Sequence, residues 1–173
     1  MNLNKFNYFF GALLIMALTF TSCDVVEDAD AGGTSVESMS GDWWIIGLFP
    51  DGSVAYGGDY VHWSTYNTAA DDGGMWLNDF GNFFELQSKV VANVNNLTFT
   101  GIANSPEEIT GGTVSVGNGV IRENNFVTAS NTSVNTIEFE AEFDWDPGTI
   151  YKFVGHKRTG FAEDEDPHYD GSQ

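Results

Sequence analysis

The chain has 173 residues, with 25 Asp and Glu against 6 Lys and Arg, and a formal net charge of −19. A surface of that sign repels phosphates, which excludes nucleic acid as a partner and disfavours anionic lipid head groups. Aromatic residues make up 14% of the chain, unlike a disordered acidic protein, so the acids decorate a folded body with a core.

Residues 1–22 are predicted to be a lipoprotein signal peptide. Lys5 provides the charged start, and an apolar run from Tyr8 to Phe20 is broken only by Gly11 and Thr19. That run falls short of the about 20 residues a spanning helix needs. The small pair Thr21-Ser22 precedes Cys23, the chain's only cysteine. Phe20-Thr21-Ser22-Cys23 resembles a bacterial lipoprotein cleavage box, in which the cysteine becomes the acylated first residue. Without a second cysteine there is no disulfide, and a bare thiol in an oxidising compartment is a liability. The expectation is lipidation of Cys23 and anchoring to the outer membrane of the cell envelope; an ordinary secreted protein with a free thiol is the alternative. Cleavage removes one cation and no acid, leaving five Lys and Arg against 25 acids.

Residues 23–40 read as a lipidated, acidic, flexible linker: they hold five acids, Gly32-Gly33 and no aromatic. A coil of that length reaches roughly 20–25 Å. Asp24 to Asp30 resembles the acidic stretch behind the cysteine of some surface-exposed lipoproteins.

From 41 to 161 the dominant period is two. Ile137, Phe139, Ala141 and Phe143 alternate with Glu138, Glu140 and Glu142, the pattern of a half-buried antiparallel strand. Phe84, Leu86, Val90, Ala92 and Val94 mark another long strand, which Asn95-Asn96 turns into Leu97-Thr98-Phe99. Pro50-Asp51-Gly52, Asp71-Asp72-Gly73-Gly74, Gly117-Asn118-Gly119, Ser130-Asn131 and Asp146-Pro147-Gly148 are further turn signals. The result is about eight or nine strands joined in order. The predicted fold is all-β, an antiparallel up-and-down β-barrel, with a two-sheet sandwich as the alternative. Residues 162–173 form an acidic, solvated tail with Tyr169 placed to dock.

Gly41-Asp42-Trp43 opens the first strand and Lys157-Arg158 ends the last. This pairing resembles the lipocalin and calycin barrels, which implies that Trp43 packs at the closed end with a basic residue, Arg158, across it. A broader resemblance rests on Gly41-Asp42-Trp43-Trp44, Ser64-Thr65-Tyr66-Asn67-Thr68-Ala69, Met75-Trp76-Leu77-Asn78-Asp79 and Gly155-His156-Lys157-Arg158-Thr159-Gly160-Phe161. These motifs are similar to those of a Bacteroidetes lipoprotein family described as lipid-binding putative hydrolase. The resemblance implies a calycin-like barrel on a lipid anchor, and it transfers no catalytic residue.

The residues give hydrolysis little support. No Gly-x-Ser-x-Gly elbow exists; Thr113-Val114-Ser115-Val116-Gly117 lacks the first glycine. His62 and His156 could meet Asp79 across a barrel as a metal site or a base with its orienter, although satisfied strand histidines are commoner. The acidic turns at Asp144-Trp145-Asp146 and Asp71-Asp72 read as turns before calcium loops. No metal or cofactor is expected. The aromatics exceed what a small barrel needs. Trp44, Trp63, Tyr66, Asn67, Trp76 and Phe84 are therefore the candidate ligand-binding residues, unless they simply fill the interior. The functional expectation is binding of a small apolar or amphipathic, lipid-like molecule inside or at the mouth of the barrel. A noncatalytic accessory subunit docking a partner lipoprotein is the alternative, and a hydrolase the second.

Overall fold

The computed structural model describes residues 33–171. The predicted signal peptide, Cys23 and the linker through residue 32 lie outside the described residues. Nine strands follow in chain order: β1 (Gly41–Leu48), β2 (Val61–Asn67), β3 (Gly74–Asn78), β4 (Gln87–Asn93), β5 (Thr98–Gly101), β6 (Ser105–Pro106), β7 (Thr113–Val127), β8 (Ser133–Phe143) and β9 (Tyr151–Lys157). Every pairing is antiparallel. β1 pairs with both β2 and β9, and β5 reaches β7 through Thr98↔Val120 and Phe99↔Gly119. These contacts close an eight-strand up-and-down barrel, and β6 adds a short extra edge on β7. The predicted barrel is thus the observed fold.

Side-chain alternation builds the wall. Along β8, Ile137, Phe139, Ala141 and Phe143 are buried, and the glutamates between them face outward. The interior is packed with rings. Phe139 and Phe153 stack with centroids 4.7 Å apart, and Trp63 meets both edge-on at 5.7 and 5.4 Å. Phe84 enters from the side at 4.7 Å from Phe153. Gly47 makes room for it: a Cβ there would stand 2.3 Å from the Phe84 ring. An eight-strand barrel has space for its own side chains or for one small ligand, and here rings fill it.

The two ends differ. Short connections at 68–73, 94–97 and 128–132 lie at one end, and the longer 49–60, 79–86, 102–112 and 144–150 lie at the other. Residues 34–40, expected to finish the flexible linker, instead plug the short-loop end. A 3-10 turn over Glu37–Met39 aligns Val36 and Met39, three residues apart, and both are wholly buried in the main core. Trp43 Nε1 donates to Thr65 Oγ1 at 2.9 Å, and that hydroxyl donates to the Met39 carbonyl at 2.7 Å. The folded body therefore begins near 34, because two apolar residues on one turn outweigh the acidic composition around them.

A second, smaller core sits outside the barrel. Ile46, Leu48 and Val154 face outward yet are buried beneath Val54, Tyr60 and Tyr169. The acidic tail holds that cover in place. The Asp164 carboxylate accepts from the Ser130 amide at 2.8 Å, the Ser130 hydroxyl at 2.7 Å and the Thr159 hydroxyl at 2.6 Å. The Tyr169 amide and the His168 ring both bond Asp59, at 2.9 and 2.7 Å. Tyr169 docks, and the residues around it are tied down as well.

Candidate functional site

Strand parity decides where the candidate residues point. On β2, Trp63 and Thr65 face the core, and His62, Ser64 and Tyr66 face out. Trp63 is 1% exposed and Phe84 6%, so both belong to the packed interior. Trp44, Tyr66 and Trp76 stand on the outer wall. The Asn67 amide group donates to the Thr68 carbonyl at 2.9 Å. The six residues are not gathered in one place. The same parity divides the expected end closure into two pairs. Lys157 is the register partner of Trp43 and its ammonium lies 6.0 Å from that ring, whereas Arg158 covers Trp44 at 4.8 Å.

Phe84 was expected on a long strand, but β4 starts only at Gln87. The cause is Asp79, a buried side chain whose carboxylate accepts five backbone amides: Gly81 and Glu85 at 2.9 Å, Phe83 at 3.2 Å, Phe84 at 2.8 Å and Leu86 at 2.9 Å. This carboxylate curls the 79–86 connection and aims Phe84 into the barrel. Beside it, Tyr56, Phe83 and Trp145 rim a mouth depression of about 500 Å³. Tyr56 is 58% and Trp145 51% exposed.

The outer wall carries the larger and more apolar recess. Cross-strand pairing lines up Tyr66, Trp76 and Lys89 over β2, β3 and β4. Tyr66 is fixed by Asn78 Nδ2 and Gln87 Nε2, which donate to its hydroxyl at 3.1 and 3.2 Å. The Lys89 ammonium stands 4.7 Å over the Trp76 ring. Residues 105–108 run alongside β4, because Ser88 Oγ donates to the Pro106 carbonyl at 2.8 Å and the Glu108 amide to the Gln87 carbonyl at 2.9 Å. The result is a groove of about 730 Å³ with Trp76 and Val91 on its floor. Ala69 and Ala70 bound it on one side, and Ile102 and Pro106 on the other. Val91 is 57% and Ile102 74% exposed, so apolar surface here faces water. Asp72, Lys89 and Glu108 add charge to its lining.

Val91, Ile102 and Lys89 were not among the residues singled out from sequence. One signal was present: in Val90-Val91 the outward member of the pair is apolar where alternation calls for a polar residue.

The titratable clusters do other work. His62, His156 and Asp79 do not converge. His62 Nε2 bonds Asp42 Oδ1 at 3.0 Å, and His156 stacks on Phe126 at 4.3 Å and meets Tyr60 edge-on at 5.2 Å. The Ser64 hydroxyl also bonds Asp42 Oδ1, giving the order Ser64–Asp42–His62. Burial pushes the Asp42 carboxyl up, but Ser64, His62 and the nearby Arg158 outweigh that and hold it low. Activating a serine requires the histidine between hydroxyl and carboxylate; here the carboxylate is in the middle, and the histidine takes no proton from the hydroxyl. The acidic turns cap backbone. Asp144 accepts the Thr113 amide at 2.8 Å, and Asp71 accepts the Ser35 amide at 2.7 Å.

No curated protein matches this chain. The barrel and the family relationship together support lipid binding: the model of the lipid-binding putative hydrolase family matches residues 28–162, and the chain belongs to that family.

Proposed function

We propose that this protein is a noncatalytic, lipid-binding lipoprotein, anchored at the outer membrane through Cys23, that holds the apolar part of a small amphipathic ligand in the groove on its outer wall. The observation that carries the reading is the 730 Å³ recess floored by Trp76 and Val91, within the about 300–1,000 Å³ of small-molecule sites. The interior is occupied by the protein's own rings, which moves the binding surface outward. Each methylene buried there contributes about 0.8 kcal/mol, so eight would give about 6 kcal/mol before the costs of association. That is enough for a weak, exchangeable ligand. Calorimetric titration with a homologous series of monoacyl chains tests it. Affinity should rise with chain length and collapse in Val91→Glu. Length-independent binding, or a Val91→Glu variant that binds like the parent, would sink the groove reading.

The anchor rests on the cleavage box and on the single cysteine. In the native host, Cys23→Ala should move the domain from the membrane fraction to the soluble one. A variant that still pellets with membranes defeats the anchor.

A second reading, docking of a partner lipoprotein, is favoured by the exposed rings of Tyr56, Phe83 and Trp145 at the barrel mouth. Crosslinking on intact cells should then capture a partner through the mouth and lose it in Trp145→Ala. Hydrolysis draws no support from the Ser64–Asp42–His62 order.

A further inference from the structure

We propose that the amphiphile in the outer groove has a zwitterionic head group, with its anionic part on Lys89 and its cationic part toward Glu108. The inference rests on the groove reading and adds the chemistry of the head. Five cations are available to the folded body. Arg122 pairs with Glu138 at 2.7 Å, Lys152 approaches the same carboxylate at 3.9 Å, and Arg158 pairs with Glu165. Lys157 donates to the Ser40 carbonyl at 3.4 Å. Lys89 alone has, among the described residues, only the face of an aromatic ring as its partner. In a chain with 25 acids against 6 bases, that ammonium stays without a carboxylate among the described residues, inside a groove with a largely apolar lining.

Glu108 lines the same groove, and among the described residues its carboxylate makes neither a hydrogen bond nor an ion pair. The two opposite charges do not neutralise each other. The Glu108 amide donates to the carbonyl of Gln87, two residues before Lys89 on the same strand, so both charges border one groove. A dipolar head group can meet both. Net charge makes the same selection. A purely anionic head is repelled by a chain of net charge −19, and a purely cationic head meets Lys89 in the groove lining. A zwitterion carries no net charge against the long-range field and satisfies both local charges. Asp72, the remaining acid of the lining, is already engaged by the Gly74 amide at 3.2 Å.

The test compares four amphiphiles of one chain length, with phosphocholine, phosphate, trimethylammonium and maltoside heads, by calorimetry on the full folded chain. The phosphocholine should bind tightest. Lys89→Met and Glu108→Gln should each weaken it about tenfold, and by more than either variant weakens the maltoside. Equal affinity for phosphocholine and maltoside overturns the head-group inference alone, as does a phosphocholine affinity indifferent to both variants. So does tightest binding of the phosphate or the trimethylammonium amphiphile. If the maltoside also fails to bind, or binds Val91→Glu unchanged, the groove reading falls and the head-group inference with it.

Discussion

Phe139 lies flat against Phe153, with ring centroids 4.7 Å apart and planes 8° from parallel, at the centre of the barrel. The two are register partners on β8 and β9, so wall geometry itself superimposes them. Rings stacked this way gain about 0.5–1.5 kcal/mol beyond their buried area. Phe153→Ala should therefore cost about 3–5 kcal/mol in urea unfolding, the range for emptying a packed aromatic site. A loss below about 1 kcal/mol would mean that the interior is loose enough to collapse around the gap.

Asp79 organises the mouth from beneath. Its carboxylate serves five amides and, among the described residues, hydrogen-bonds no cation, and its side chain is fully buried. Asp79→Ala strands those donors. At about 1–3 kcal/mol for each one left unsatisfied, the loss should be at least about 3 kcal/mol, softened where water reaches the loop. Hydrogen exchange at Phe84 and Leu86 should accelerate before the rest of the barrel opens. Unchanged exchange there would assign the loop's order to Phe84 packing alone.

Asp79 also marks where sequence reasoning stopped. Period-two alternation made the barrel legible, because a half-buried strand has to place Ile137, Phe139, Ala141 and Phe143 on one side. The same alternation looks identical around an empty and a filled interior. Trp63 and Trp76 read alike as surplus aromatics, and only strand parity across three registers separates them. Asp79 read as a partner for His62 and His156, since nothing in composition says that a carboxylate will capture the backbone of the loop that follows it. The groove was illegible for a related reason. Its walls come from residues 69–70 and 102–106, two connections without periodicity that flank the outward face of the paired strands β3 and β4.

The docked tail should respond to pH in two opposite ways. Burial raises Asp164, but donors from Thr159, Ser130 and Thr128 overcome it and hold the group at about 2, below its ordinary 3.8. A depressed carboxylate contributes fully above its unfolded value, and the contribution is lost as pH falls from about 4 toward 2. His168 is raised by Asp59 above its ordinary 6.5. That contribution is fully present below 6.5 and is lost as pH rises through the elevated value. Tail docking should therefore be strongest between about pH 4 and 6.5. Exchange of the Tyr169 amide, which donates to Asp59, should be slowest there after correction for intrinsic rates. His168→Ala should remove the alkaline limb and leave the acid limb. Retention of both limbs in that variant would dissociate His168 from the tether.

Trp63 and Trp76 provide the sharpest separation of core from site. Trp63 is 1% exposed and packs edge-on against Phe139 and Phe153, so Trp63→Ala should cost about 3–5 kcal/mol of stability. Trp76 lies on the outer wall under Lys89 with one face toward the groove, and its removal opens no interior cavity. Trp76→Ala should leave stability within about 1 kcal/mol of the parent, since its main loss is one cation–π contact of about 0.5–1 kcal/mol. Amphiphile affinity should behave in reverse. Trp76→Ala removes the floor of the groove and should weaken binding about tenfold or more, a loss of about 1.4 kcal/mol. Trp63→Ala, measured where it is still folded, should bind as the parent does. If binding instead tracks Trp63 and ignores Trp76, the ligand enters the barrel after all, displacing rings that pack against each other there.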